Sequence, residues 1–186
     1  MKLHYRFTLL LVLCGFGTFS NAESVQVENG TFGCIRDMSP VRGFFVGSLQ
    51  GNLDETLAVA NAGSGTYPVG SLVQLVPGEA MVKREAGFSP ATSDWEFFEL
   101  DVSADNTTIS KRGFADVVNK FGGNCFGCHI KANADRDLIC ETGHGCDPIP
   151  LTPTMLKAIQ NTDPRCEPVE LPPEQIEALK QLRAAM

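Results

Sequence analysis

"SLVQLVPGEAMVKRE", residues 71–85, carries two short apolar runs on either side of Pro77-Gly78. Proline presets the backbone for the second position of a turn and glycine accepts the conformation that follows, so this pair reverses the chain. The runs 71–76 and 79–85 are therefore predicted to be the arms of a β-hairpin. Downstream, "DWEFFELDVS" (94–103) alternates Phe98, Leu100 and Val102 with Glu99 and Asp101. That period of two predicts a half-buried strand, with Trp95 and Phe97 on the other face near its start. "ADN" then turns the chain into "TTISKR" (107–112), another strand.

Helices are predicted around this sheet. "NLDETLAVANA" (52–62) has Asn52 or Asp54 as a cap and Leu57, Val59 and Ala60 among its apolar positions. A short helix is expected near 153–160. A terminal one follows over 172–186, with Ile176, Leu179 and Leu182 on one face. The fold class expected is mainly β with α: an antiparallel sheet core carrying short helices. No internal repeat or low-complexity segment is present.

The chain begins "MKLHYRFTLLLVLCGFGTFSNAES". A basic start (Lys2, Arg6), an apolar run from Phe7 to about Phe19 and small residues before Glu23 make the three-part layout of a secretory signal, with cleavage expected near Ala22. The run is shorter than the roughly 20 apolar residues of a membrane span. Cys14 lies mid-run after bulky Leu13, which does not suit a lipid-anchor site. The expected location is the periplasm or another exported compartment. Residues 23–186 form one expected domain. They carry 13 basic and 22 acidic residues, a net charge of −9. Such a surface argues against nucleic acid and anionic membrane as partners.

"GGNCFGCHIK" (122–131) carries the chemistry. Cys125-Phe126-Gly127-Cys128-His129 has the spacing of covalent haem attachment, in which two thiols add to two vinyl groups and the adjoining imidazole reaches iron. The segment is expected on a late helix or loop. One such motif implies one haem c, with Cys125, Cys128 and His129 binding the cofactor and His129 binding iron. Two other readings compete: a zinc site completed by ligands from "CETGHGC" (140–146), and a redox dithiol. Beyond His129 the exported chain offers only His144, Met38, Met81, Met155 and Met186 as a sixth iron ligand. Met81 fits a strand core, Met155 a helix face, and His144 a glycine-flanked surface turn. An open distal face is the remaining alternative.

"TYPVGSLVQLV", "MVKRE", "DWEFFEL" and "CFGCHIKANADRDLIC", spanning about 67–140, resemble successive blocks of the cytochrome P-460 family, itself similar to the β-sheet branch of the cytochromes c-prime. The resemblance implies a mostly β, commonly dimeric protein with covalent haem, a proximal histidine and an open distal side. Members oxidise hydroxylamine or bind small gases such as nitric oxide and carbon monoxide. It also implies a lysine cross-linked to haem, for which Lys83 is the nearest candidate, and a distal acid, for which Glu85 and Glu96 are candidates. Read from the residues alone, Lys83 is an outward-facing, solvated strand lysine, and both glutamates sit on a solvated strand face. Cys140 stands where the family usually has an aromatic residue.

Cys34, Cys140, Cys146 and Cys166 remain after haem attachment, and four cysteines allow three pairings. The pairing expected is Cys140–Cys146, closing the loop around His144, and Cys34–Cys166, tying the ends and bracing an extension over 141–186. The function expected is a monohaem c-type cytochrome for electron transfer or small-gas binding, with a small redox protein or a gaseous or nitrogenous ligand as partner. The alternative is an oxidoreductase acting on hydroxylamine or nitric oxide.

Overall fold

The computed structural model describes residues 24–185. The signal-peptide reading of residues 1–22, with Cys14, and the reading of Met186 as a ligand lie outside that range. Six strands form one antiparallel sheet in sequence order: β1 (Ser39–Val41), β2 (Phe44–Ser48), β3 (Ser71–Gln74), β4 (Glu79–Lys83), β5 (Trp95–Val102) and β6 (Thr107–Gly113). Four helices accompany it: α1 (Leu53–Ala62), α2 (Cys125–His129), α3 (Pro153–Asn161) and α4 (Pro173–Ala185). Mainly β with α is the observed class.

The hairpin at Pro77-Gly78 pairs Leu72 with Val82 and Val73 with Met81. Gln74, 1% exposed, braces it by donating from Nε2 to the Glu79 carbonyl at 3.1 Å. α1 follows Asn52 and ends at Gly63, whose φ of +68° lets its N–H return to the Val59 and Ala60 carbonyls. Asp54 and Glu55 in its first turn complement the helix dipole.

The prediction of a half-buried β5 is corrected: the sheet is covered on both faces. Trp95, Phe97, Met81, Val73 and Val46 face a cluster that includes Ala60 of α1 and Cys125. Phe98, Leu100, Val82 and Leu72 face a second cluster with Val25, Val27 and Phe32 of the N-terminal segment. That segment was not foreseen as a layer. β1 and β2 were also missed, because "FFV" (44–46) is a continuous apolar run with no period of two. Their presence extends the core well upstream of residue 67. β1 is three residues long with Pro40 at its centre, which suits an edge strand.

β5 and β6 lose step once. Glu99 pairs with Lys111 and Leu100 with Ile109, so Ser110 is an extra residue without a partner, a β-bulge. Its hydroxyl donates to the Glu99 carbonyl at 3.0 Å.

Both disulfides have the expected pairing, Cys34–Cys166 across 132 residues and Cys140–Cys146 across six. The first joins the N-terminal segment to the stretch after α3, where Asp163 accepts from the Ile35 N–H at 2.9 Å and from Arg165. α3 and α4 pack on each other. In α4 the buried residue is Ala178, while Ile176 is 44% exposed, so the predicted face is rotated. Among the described residues no helix is long and apolar enough to cross a membrane.

Candidate haem-attachment site

The motif occupies α2, a single short helix entered from β6 through residues 114–124. Asn124 fixes this entry. Its Oδ1 accepts from the Gly127 N–H at 2.7 Å as an N-cap, while Nδ2 donates to the carbonyls of Phe114, Ala115 and Val117. The Cys125 N–H donates to the Val117 carbonyl at 3.1 Å, so the start of α2 is tied to the incoming loop. Gly127 leaves the cap room, since a β-carbon there would lie 3.3 Å from Asn124 Oδ1.

Phe126 sits between Phe97 and Phe114, with ring centroids 6.1 and 5.5 Å away. The His129 ring meets the edge of Phe97 at 5.3 Å. Its Nδ1 lies 2.6 Å from the Leu138 carbonyl. A carbonyl only accepts, so the proton is on Nδ1 and Nε2 carries the lone pair. Burial holds the imidazole below its ordinary pKa, with the Leu138 hydrogen bond opposing in part. The ring is neutral, in the tautomer that would leave Nε2 free to bind an iron.

The Leu138 carbonyl is held by an unusual turn. Asp137 and Leu138 have φ of +47° and +64°, two successive non-glycine residues in the left-handed region. Such residues cost about 1–3 kcal/mol each and persist only where their surroundings over-determine them. Here the Asp137 carboxylate takes Lys83 Nζ at 2.8 Å and the Tyr67 N–H at 2.8 Å, and the Asp137 carbonyl takes Trp95 Nε1 at 2.8 Å. Lys83 also donates to the Ser93 carbonyl at 2.7 Å and lies 5.2 Å from the Trp95 ring centroid.

These contacts correct the reading of Lys83 as solvated: it is 5% exposed and ion-paired. Glu96 is corrected too. It is buried, bridged by Arg84 and Arg112, and lies on the Phe98 face, opposite Phe97 and Cys125. Glu85 accepts from the Val25 N–H at 3.3 Å, toward that same far layer. Neither distal-acid candidate shares the motif's face.

Met81 is buried in the cluster that contains Cys125, as a strand-core residue. Met38 packs against the far clusters and Met155 is half-buried on α3. His144 lies inside the Cys140–Cys146 loop between Gly143 and Gly145, with its Nδ1 3.8 Å from Glu141 Oε1. The loop docks on the segment after the motif, where the Asn133 N–H donates to the His144 carbonyl at 2.8 Å.

Cys140 and Cys146 are oxidised to each other, so they offer no thiolates and the zinc reading loses its second pair of ligands. Among the described residues no group of three or more histidine, cysteine or acidic side chains is arranged to hold a metal ion. The acidity of Cys125 disfavours the dithiol reading. Burial, with the charges of Glu79 and Glu99 adding, pushes the Cys125 thiol up to about 12, whereas a redox thiol needs a depressed pKa.

Covalent haem fits what is present. Cys125 and Cys128 are the free cysteines among the described residues, three apart on one helical turn beside a neutral imidazole. Phe114, Phe121 and Ile130, close in sequence on either side of them, are 41%, 44% and 55% exposed, apolar surface of the kind that a porphyrin covers. A cavity of about 1060 Å³ adjoins the distal end of the motif, with Ile130, Leu138, Tyr67, Lys83 and Asp137 in its wall. Another, of about 450 Å³, is lined largely by Leu75, Leu100, Phe121, Ile149 and Ile159 around Glu79, whose carboxyl burial raises above its usual range.

No protein-family model matches the chain, and neither a curated protein nor a solved structure does. Sequence reasoning missed Asn124, Asp137 and the Leu138 carbonyl. Only the first had a signal, an asparagine directly before a short helix.

Proposed function

We propose that this chain is an exported monohaem c-type cytochrome of the P-460 type, with haem c joined to Cys125 and Cys128 and its iron bound by His129. One observation carries the reading. The four other described cysteines are paired, and the two left free stand one turn apart beside an imidazole with its Nδ1 engaged by Leu138. The two disulfides and the leader-like start support export.

Haem would supply a one-electron iron couple and a coordination position for a small ligand. The chain's own residues supply the rest. Asn124 fixes the helix that carries both thiols, Phe97 and Phe126 set its lateral position, and Leu138 sets the imidazole tautomer. Electron transfer to a small redox protein, or binding of a small gas, is favoured over hydroxylamine or nitric oxide chemistry. Haem cross-linking needs a free amine, and Lys83 spends its donors on Asp137 and Ser93.

The test is export in a host that matures c-type cytochromes. Haem should stay with the polypeptide through acid-acetone extraction and denaturing electrophoresis, and Cys125→Ala with Cys128→Ala should abolish it. Extractable haem, or zinc in place of iron, would overturn the reading. Carbon monoxide added to the reduced protein then separates a gas binder, which takes it up rapidly, from a carrier with a sixth ligand, for which Met81 is the first residue to replace.

A further inference from the structure

Lys83 and Asp137 are more than a buried ion pair, because of what they hold in place. Their side chains are 7% and 6% exposed, and every polar atom of the pair is engaged. The carboxylate is gripped by Lys83 and the Tyr67 N–H, while the carbonyl of the same residue is gripped by the Trp95 indole. Trp95 is wholly buried and paired with Lys83 across β4 and β5, so both arms of the grip come from adjacent strands of the sheet. The next carbonyl along the chain, that of Leu138, meets His129 Nδ1. Both residues of this turn have left-handed backbone. Lys83's other acceptor, Ser93, is also left-handed, at φ +49°.

We propose that Lys83 and Asp137 are positioning residues that clamp the Leu138 carbonyl onto His129 and so set the donor strength of the imidazole toward iron. The inference rests on the haem reading above and deepens it by naming what tunes the iron. A carbonyl that accepts strongly from Nδ1–H gives the ring imidazolate character, and a ring so charged stabilises ferric over ferrous iron. Breaking the clamp lets the strained turn relax, lengthens the Nδ1–H contact and weakens the donor. The reduction potential then rises and the iron–histidine stretching frequency of the ferrous form falls. An ammonium is not itself required: any cation that reaches Asp137 keeps the turn closed.

The experiment uses the haem-loaded full chain with Lys83→Met, Asp137→Asn and Lys83→Arg, and Asp163→Asn as a control that removes a buried carboxylate outside the clamp. Haem content per chain is measured first. Lys83→Met and Asp137→Asn should raise the potential and lower the stretching frequency, while Lys83→Arg and Asp163→Asn should leave both near the native values. A second measurement, the Nδ1–H resonance of His129 in the haem-free chain, should move upfield in the same two variants. Unchanged potential, stretch and resonance in both variants, or equal changes in Asp163→Asn, would overturn the clamp. If the native chain binds no covalent haem, the haem reading fails alone. The His129 resonance still decides the clamp.

Discussion

A buried ion pair is most informative when one partner is removed. Lys83→Met leaves the buried Asp137 carboxylate with the Tyr67 N–H but without its cation, and should destabilise the fold by about 3–5 kcal/mol in denaturant melts. Asn124→Ala removes the cap of α2 and the Nδ2 amide that donates to three carbonyls of the preceding loop, and should cost about 1–2 kcal/mol. The haem-bound fraction should fall with it. Asp163 gives a pH dependence. Burial alone would raise its carboxyl, but hydrogen bonds from Arg165 and the Ile35 N–H outweigh that and hold it below its ordinary value. A depressed carboxyl stabilises the fold fully above its unfolded pKa and loses that contribution as the pH falls through the folded one. Melts between pH 5 and pH 2.5 should therefore show stability falling, and Asp163→Asn should flatten part of the slope. At this scale the sequence was partly legible. Cys125, Cys128 and His129 are marked by the spacing of their motif, which is local. The Leu138 carbonyl and its clamp arise from contacts 42 to 70 residues apart, and no local pattern encodes them.

Secondary structure was more legible than the site. The hairpin, β5, β6, α1, α3 and α4 follow from turn residues, alternation and caps, all within a few positions of each other. β2 escaped because a strand buried on both sides shows no alternation, and its second face at Phe45 is covered by the distant Ile35, while β1 is only three residues long around Pro40. The disulfides separate the two scales in energy. Removing Cys34–Cys166 with serines releases a loop of 132 residues and should cost about 4–5 kcal/mol by chain entropy. Removing Cys140–Cys146 frees a loop of six and should cost about 2 kcal/mol. Paired denaturant midpoints on the two double-serine variants measure the difference. The reverse order would mean that native contacts, not loop closure, set the contribution of the bridges.

Across the whole molecule, charge sets how a partner arrives. The chain after residue 22 carries −9, while Lys111, Lys120 and Lys131 lie near the motif in sequence and are each engaged by a neighbouring acid. A redox protein of opposite sign should be captured by the long-range field, and its association rate should fall steeply between about 10 mM and 150 mM salt as the Debye length shrinks from about 30 Å to 8 Å. Stopped-flow electron transfer measures this. A rate indifferent to salt would favour a neutral ligand, such as a dissolved gas, as the physiological partner.

Ser110 works as a phase shifter. In a strand, each step of one residue is a half-turn, so one unpaired residue inverts the side on which everything after it points. Upstream of Ser110, Ile109 lies opposite Leu100; downstream, Lys111 lies opposite Glu99 and Arg112 opposite Phe98. That inversion delivers the Arg112 guanidinium to Glu96. Drawing Ser110 into the ladder opposite Glu99 would act like a frameshift: Lys111 would meet Phe98, Arg112 would meet Phe97, and Glu96 would keep only Arg84. Deleting Ser110 closes the bulge and leaves Lys111 opposite Glu99 and Arg112 opposite Phe98, so the deletion should still yield folded protein, measured by circular dichroism and denaturant melts. Ser110→Ala keeps the step, removes only the hydrogen bond to the Glu99 carbonyl, and should cost about 0.5–1.5 kcal/mol with haem content unchanged.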